Sequence, residues 1–181
     1  MQWQWHEDGI YFFAELPSTQ NLAKEWFLQN KSFTAIAAGK QTAGRGQNAN
    51  TWHSPEGGLY ITWIDHRNLT QNDLASYTKQ VCDKVKSLLE KWSGLSIQIK
   101  MPNDLFLNNK KVAGILCERF VRGTSISPIL VGVGINLNVN EFPLELKHIA
   151  TSLKLETGRS FDLKEKMKEL IGHFGFAQWS K

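Results

Sequence analysis

The stretch from Gly39 to Tyr60, GKQTAGRGQNANTWHSPEGGLY, constrains this chain more than any other. A short apolar run, Thr34 to Ala38 (TAIAA), leads into it, and a second, Leu59 to Ile64 (LYITWI), leads out. Runs of that length and content suit buried strands. The connection between them is much longer than is usual in a compact domain, and such connections are typically functional or disordered. Inside it lie Gly44, Gly46, Gly57 and Gly58, the arginine Arg45 and the tryptophan Trp52. Glycine allows the backbone to approach a ligand closely, so that successive N–H groups can cradle an anion. Arg45 adds a fixed charge, and Trp52 offers a flat face for a ring. Two readings follow: a plain surface hairpin, or a flexible anion-binding loop that orders over a ligand.

Two nucleotide fingerprints are excluded. Gly44-Arg45-Gly46-Gln47-Asn48-Ala49 fits the G-x-G-x-x-G/A spacing, but that pattern requires a helix opening directly from the loop. Pro55 and the Gly57-Gly58 pair argue against one. There is also no phosphate-loop lysine motif.

A chain of 181 residues suits one domain with a substantial core. With 41% hydrophobic and 21% charged residues it is expected to be globular, not disordered. The net charge of +4 would suit a phosphate-bearing or acidic partner. The lysines are scattered, however, and no helix-turn-helix pattern precedes the loop, so no nucleic-acid partner is expected. Cys82 and Cys117 lie far apart in apolar contexts and read as core thiols in a reducing compartment. The polar N-terminus is no signal peptide, and no apolar run could span a membrane. The expected location is cytoplasmic, with no membrane partner.

Taken in order, Gly9 to Leu16 (GIYFFAEL) predicts a strand, broken by Pro17-Ser18-Thr19. Ser18 or Thr19 can cap a helix over Gln20 to Gln29, with Leu22, Ala23, Trp26 and Phe27 on one face. A long helix is expected over Asn72 to Trp92, with Thr70-x-x-Asp73 as a capping box. Its buried stripe is Leu74, Thr78, Val81, Val85, Leu88 and Trp92, and Lys79, Lys84, Lys86 and Lys91 form a solvated face. Ser96 to Met101 alternates, placing Ile97, Ile99 and Met101 on the core side and Gln98 and Lys100 away from it. Pro102-Asn103-Asp104 turns the chain. A hairpin of Leu105 to Leu107 and Val112 to Val121 follows, with a further turn over Gly123 to Ser127.

Gly114, inside the second hairpin strand, suggests close approach by a ligand or another backbone. Ile129 to Val139 predicts another strand. Gly132 and Gly134 remove two side chains from one of its faces and leave a slot. A short helix near Ile149 to Leu155 and a final helix over Leu163 to Phe174, capped by Asp162-x-x-Glu165, complete the chain. The expected class is α+β, a mixed, largely antiparallel sheet with helices on one side.

Four segments together resemble the catalytic domain of the biotin protein ligases. They are Ser18-Thr19-Gln20-Asn21-Leu22-Ala23; Gln41-Thr42-Ala43-Gly44-Arg45-Gly46 through Trp52-x-Ser54-Pro55-x-Gly57; Lys100-Met101-Pro102-Asn103-Asp104-Leu105 through Val112-Ala113-Gly114-Ile115-Leu116-Cys117-Glu118; and Gly132-Val133-Gly134-Ile135-Asn136. Ala150-Thr151-Ser152-Leu153 extends the match, and order and spacing fit across nearly the whole chain.

The resemblance implies a sheet like that of the class II aminoacyl-tRNA synthetases. It also implies an ATP-dependent biotin–[acetyl-CoA-carboxylase] ligase. Biotin and MgATP give biotinyl-5′-adenylate, which acylates a lysine of a biotin carboxyl carrier protein. It implies Lys100 and Arg45 as the catalytic cations. Ser18, Thr19, Gln20, Gln41, Gly44, Arg45, Gly46, Gln47, Lys100, Gly114, Gly132 and Gly134 would contact biotin. Trp52, Asn103 and Asn136 would contact the nucleotide. Mg²⁺ would ride mainly on the phosphates, with no dedicated protein metal site. Side-by-side sheets would allow a homodimer.

The chain also departs from the family pattern. The family loop usually continues Gly-Arg-Gly-Arg-x-Gly-Arg, but here it reads Gly46-Gln47-Asn48-Ala49-Asn50. Gln20 stands for a usual Asn and Met101 for a usual Trp. A loop poorer in charge is expected to release the adenylate faster than in a typical ligase. Rapid dilution of preformed adenylate complex measures this, and a slow off-rate would count against it. Neither a DNA-binding domain before the catalytic part nor a C-terminal β-barrel is expected. The alternatives are a lipoate- or octanoate-handling acyltransferase on the same scaffold and a non-catalytic biotin-binding module.

Overall fold

A computed structural model describes residues 4–67, 73–119 and 128–175. The expected capping residue Thr70, the strand end at Val121 and the turn over Gly123 to Ser127 lie outside them. Eight strands form one sheet: β1 (Trp5–Glu7), β2 (Ile10–Phe13), β3 (Ala35–Ala38), β4 (Leu59–Asp65), β5 (Gln98–Lys100), β6 (Asp104–Leu107), β7 (Lys110–Arg119) and β8 (Ile129–Ile135). Their order is β1-β2-β3-β4-β8-β7-β6-β5. Only the β2–β3 pair is parallel, so the sheet is mixed and largely antiparallel, as expected. The helices are α1 (Thr19–Leu28), α2 (Asp73–Ser93), α3 (Leu153–Thr157) and α4 (Leu163–His173).

The first strand is an addition to the sequence expectation. Asp8 and Gly9 both take positive φ, 51° and 75°, the geometry of a tight hairpin turn. Asp-Gly is the usual residue pair for such a turn, and it folds Trp5–Glu7 back along β2.

Helices lie on both faces of the sheet, which corrects the expectation of one side. Strand alternation explains why. Ala35, Ala37, Leu59, Ile61, Trp63, Val131 and Val133 point into a core shared with Val81, Val85, Leu89 of α2 and Leu170 of α4. Phe13, Ile36, Ala38 and Leu130 point the other way, where Ala23, Leu22, Trp26 and Phe27 of α1 cover them. The runs TAIAA and LYITWI are apolar but for Thr34 and Thr62 because both faces of β3 and β4 are buried. Cys82 and Cys117 are buried free thiols. Burial pushes them up to about 12 and about 11, so neither is a ready nucleophile. Among the described residues, no helix is long and apolar enough to cross a membrane.

One polar anchor ties α2 to the sheet. Asp65, 7% exposed at the end of β4, accepts a hydrogen bond from the Tyr77 hydroxyl at 2.6 Å. It also accepts from Nε and Nη2 of Arg67 at 2.9 and 2.6 Å. Burial pushes this carboxyl up, but the bonds from Arg67 and Tyr77 outweigh burial and hold it below its ordinary 3.8. A depressed carboxyl adds stability above its unfolded pKa and loses it as pH falls through the folded one. Asp65→Asn is therefore expected to cost about 2 kcal/mol at pH 7 and to flatten the loss of stability on acidification below 3.8. Urea midpoints at neutral and acid pH measure both effects; an unchanged neutral midpoint would refute the anchor.

Candidate active site

A cleft of about 220 Å³ opens on the sheet face that carries α1. Alternation along the strands builds its floor. Tyr60 and Thr62 of β4, Gly132 and Gly134 of β8 and Gly114 of β7 all line it. The register pairs Tyr60 with Gly134, Thr62 with Gly132 and Gly114 with Gly134, so the missing side chains fall side by side.

A polar row forms one wall. Ser18, 2% exposed, caps α1 by accepting from the Asn21 amide. The Thr19 amide and hydroxyl donate to Gln41 Oε1 at 2.8 and 3.1 Å, and Gln41 Nε2 donates to Ser54 Oγ at 2.9 Å. Ser54 in turn donates to the Trp52 carbonyl at 3.0 Å. The Thr62 hydroxyl, fully buried, lies 2.9 Å from Thr19 Oγ1 and 3.1 Å from Gln20 Oε1.

The glycine-rich loop is an ordered narrow hairpin over the cleft, not an open coil. The Trp52 amide donates to the Gly44 carbonyl at 3.0 Å and the Gly46 amide to the Asn50 carbonyl at 2.7 Å. A 3₁₀ turn, Gln47–Ala49, forms the tip, with Asn48 at φ 54°. A Cβ on Gly44 would stand 2.4 Å from both Ser54 Oγ and the Trp52 carbonyl, so only glycine fits this neck. The Trp52 indole then lies over Gly114 and Gly134, where added Cβ atoms would meet it at 2.8 and 2.7 Å. Its Nε1 is buried without a hydrogen-bond partner.

Two cations line the cleft, each beside a carboxylate. Arg45 makes a bidentate pair with Glu118, Nη2 to Oε1 at 2.7 Å and Nη1 to Oε2 at 3.0 Å. Lys111 Nζ lies 2.7 Å from Asp104 Oδ1 and 4.9 Å from the centre of the Trp52 ring. Asn103 donates from Nδ2 to the Ile115 carbonyl at 2.7 Å and so fixes the turn before β6 against β7.

Of the residues expected from the sequence, the cleft gathers Ser18, Thr19, Gln20, Gln41, Arg45, Gly46, Gln47, Trp52, Asn103, Gly114, Gly132 and Gly134. Three stand apart. Gly44 forms the neck of the hairpin. Asn136, 3% exposed, spends its amide on the Thr151 carbonyl at 2.9 Å. Lys100 sits on β5, the outermost strand, with Nζ 5.3 Å from the Phe106 ring centre, and it does not line the cleft. Met101, expected on the core side, is 57% exposed because β5 ends at Lys100.

Sequence reading missed Lys111, Thr62 and the pairing of Glu118. Regular alternation would put Lys111 and Gly114 on opposite faces. A register shift opposite Leu105/Phe106 inserts one residue into β7, so that Val112 and Ala113 are both fully buried. Lys111 and Gly114 then share the cleft face. Nothing in the sequence marks that bulge. Thr62 did carry a signal, a lone hydroxyl in the apolar run LYITWI.

Known proteins share this fold. Residues 12–136 match the biotin/lipoate A/B protein ligase family. The chain is 38% identical over 157 residues to the bifunctional ligase/repressor BirA of Bacillus subtilis, a match covering 84% of this chain and 48% of that protein. It is 31% identical over 153 residues to the biotin–[acetyl-CoA-carboxylase] ligase of Paracoccus denitrificans, covering 80% of this chain and 61% of that one. The Aquifex aeolicus biotin protein ligase, solved with biotin and ATP, superposes with a TM-score of 0.78 at 34% identity, over 93% of this chain and 69% of that one. The chain thus spans about half the length of BirA. With most of its length matching the family, and with the family's sheet, the chain belongs to the biotin/lipoate A/B protein ligase family.

Proposed function

We propose that this chain activates biotin with ATP to biotinyl-5′-adenylate and transfers biotin to a lysine of a biotin carboxyl carrier protein. The observation that carries this reading is the glycine floor of the cleft, walled by polar groups and flanked by Arg45 and Lys111. Gly114 and Gly134 let the Trp52 indole, and Gly132 the Gln20 amide, sit low against the sheet, which leaves room above them for an apolar fused ring. The ureido group meets the row of Ser18, Thr19 and Gln41, which offers both donors and acceptors.

In the first step a carboxylate oxygen attacks the α-phosphorus, the O–P bond forms and pyrophosphate leaves. Two anions must approach, so positive charge fixed in place beforehand lowers the barrier. Arg45 and Lys111 supply it. The sequence reading assigned the second cation's role to Lys100; the cleft geometry favours Lys111, whose ammonium stands at Asp104 and Trp52. Trp52 offers its indole face for stacking, and Asn103 lines the same cleft. In the second step the carrier amine attacks the acyl carbonyl and AMP leaves. Asp104, the carboxylate lining the cleft, is already paired with Lys111. That arrangement fits an Mg²⁺ ion held mainly by the nucleotide's phosphate oxygens.

Sheet-to-sheet pairing of two copies would use β1 or β5, the outer strands. A cytoplasmic setting, supported by the two buried free thiols, completes the reading. Isotope exchange between pyrophosphate and ATP tests the first step directly. Exchange that requires biotin supports the proposal, and exchange indifferent to biotin contradicts it.

A further inference from the structure

Glu118 is the carboxylate on which both sides of the cleft converge. It lies four positions after Gly114 on β7, hence on the same face of the sheet. Its two oxygens accept from both terminal nitrogens of Arg45 at 2.7 and 3.0 Å. One of those oxygens also accepts from Gln20 Nε2 at 3.0 Å. Gln20 Oε1 lies so near Gly132 that a Cβ there would approach it to 2.6 Å. The opposite end of the same amide therefore stands over the slot in the floor. The side chains of Arg45 and Glu118 are 39% and 29% exposed, so the pair sits at the mouth of the cleft.

We infer that Glu118 is a positioning residue, latching the glycine-rich hairpin through Arg45 and setting the Gln20 amide over Gly132. Exposed ion pairs contribute little in general, but a bidentate arginine–carboxylate pair with a third hydrogen bond is the geometry in which they do contribute. Without the carboxylate, the guanidinium loses its bidentate partner and the tip of the hairpin loses its charged tie to β7. The remaining ties are weaker or lie further from the tip. Arg45 Nη1 also donates to Asn21 Oδ1, at 3.3 Å, and the Thr42 and Ala43 amides donate to the Leu16 and Pro17 carbonyls at 3.1 and 2.9 Å. Ser54 and Gln41 hold the Trp52 side. The latch presents Arg45 to an incoming anion already placed, so that less entropy is lost on binding. The functional half of this inference rests on the proposed biotin reaction; the structural half does not.

Limited trypsinolysis at the Arg45–Gly46 bond tests the latch, because cleavage follows the population in which that arginine is free. Glu118→Gln, in the full chain without ligand, is expected to be cut there about tenfold faster than the parent. Glu118→Asp is expected to be intermediate, with cleavage at other sites and the melting temperature unchanged. Equal cleavage of Glu118→Gln and parent at Arg45 would overturn the proposal. A second measurement reads the role in binding. The KM for biotin should rise about tenfold in Glu118→Gln while kcat stays within about twofold. A fall in kcat at constant KM would overturn the positioning role. If the parent shows no biotin-dependent reaction at all, the biotin reading fails while the proteolysis result still decides the latch.

Discussion

Lys111→Ala is expected to cut adenylate formation by about 10²–10³-fold, the usual cost of removing one fixed charge or donor aimed at developing negative charge. Lys100→Ala is expected to change it by less than about threefold, since an exposed charge further out is screened by solvent and salt. The two lysines are the sharpest contrast in the molecule. Both lie in the stretch from Lys100 to Glu118, and the strand register places both on the same face of the sheet. Lys111 reaches the cleft because the β7 bulge turns it beside Gly114, and Asp104 at 2.7 Å holds its ammonium there. Lys100 is on the edge strand, occupied with the Phe106 ring. Steady-state pyrophosphate release by the two variants measures the difference. Equal losses, or a larger loss from Lys100→Ala, would return the catalytic role to the edge strand.

The second large effect is expected at Gly134. A methyl group there would stand 2.7 Å from Trp52 Nε1 and 2.8 Å from Cε2, far inside contact distance. The neighbouring backbone belongs to the central strands and cannot yield. The indole must therefore leave its seat, and with it the face that closes the cleft. Gly134→Ala is expected to weaken biotin binding by about 10²-fold, the scale of a misplacement of about 1 Å in a binding site. Gly172→Ala, a helical glycine with open space around its added Cβ, is the control and should bind normally. Calorimetric titration of both variants with biotin makes the comparison. Normal binding by Gly134→Ala would mean that Trp52 does not close the site.

Much of this architecture was legible in the sequence, for identifiable reasons. The α2 stripe of Val81, Val85, Leu88 and Trp92 is buried as its helical spacing requires. The caps at Ser18 and Asp162 accept from amides three residues on, whereas the short helix expected near Ile149 to Leu155 begins only at Leu153. Gly132 and Gly134 fall on one face because a strand alternates. Such features are local, and local chemistry decides them.

What escaped was set by tertiary geometry. The β7 bulge changes which residues share a face, and it reassigns a lysine from the surface to the site. Helices on both faces could not be distinguished from helices on one, because a strand buried on two sides loses the alternation that would tell them apart. Glu118 appeared only as the last residue of a motif, since its partners Arg45 and Gln20 lie 73 and 98 positions away. The hairpin β1–β2 was within reach, given Asp8-Gly9, but the polar residues around Trp5 masked it.

On the proposed function, this cleft joins biotin to the nucleotide. Incubation with ATP, Mg²⁺ and either biotin or lipoate, followed by mass spectrometry for the acyl-adenylate, tests it most directly. Biotinyl-5′-adenylate formed with biotin, and no adenylate with lipoate, is the predicted result. Lipoyl-adenylate alone, or biotin bound without any adenylate, would contradict it.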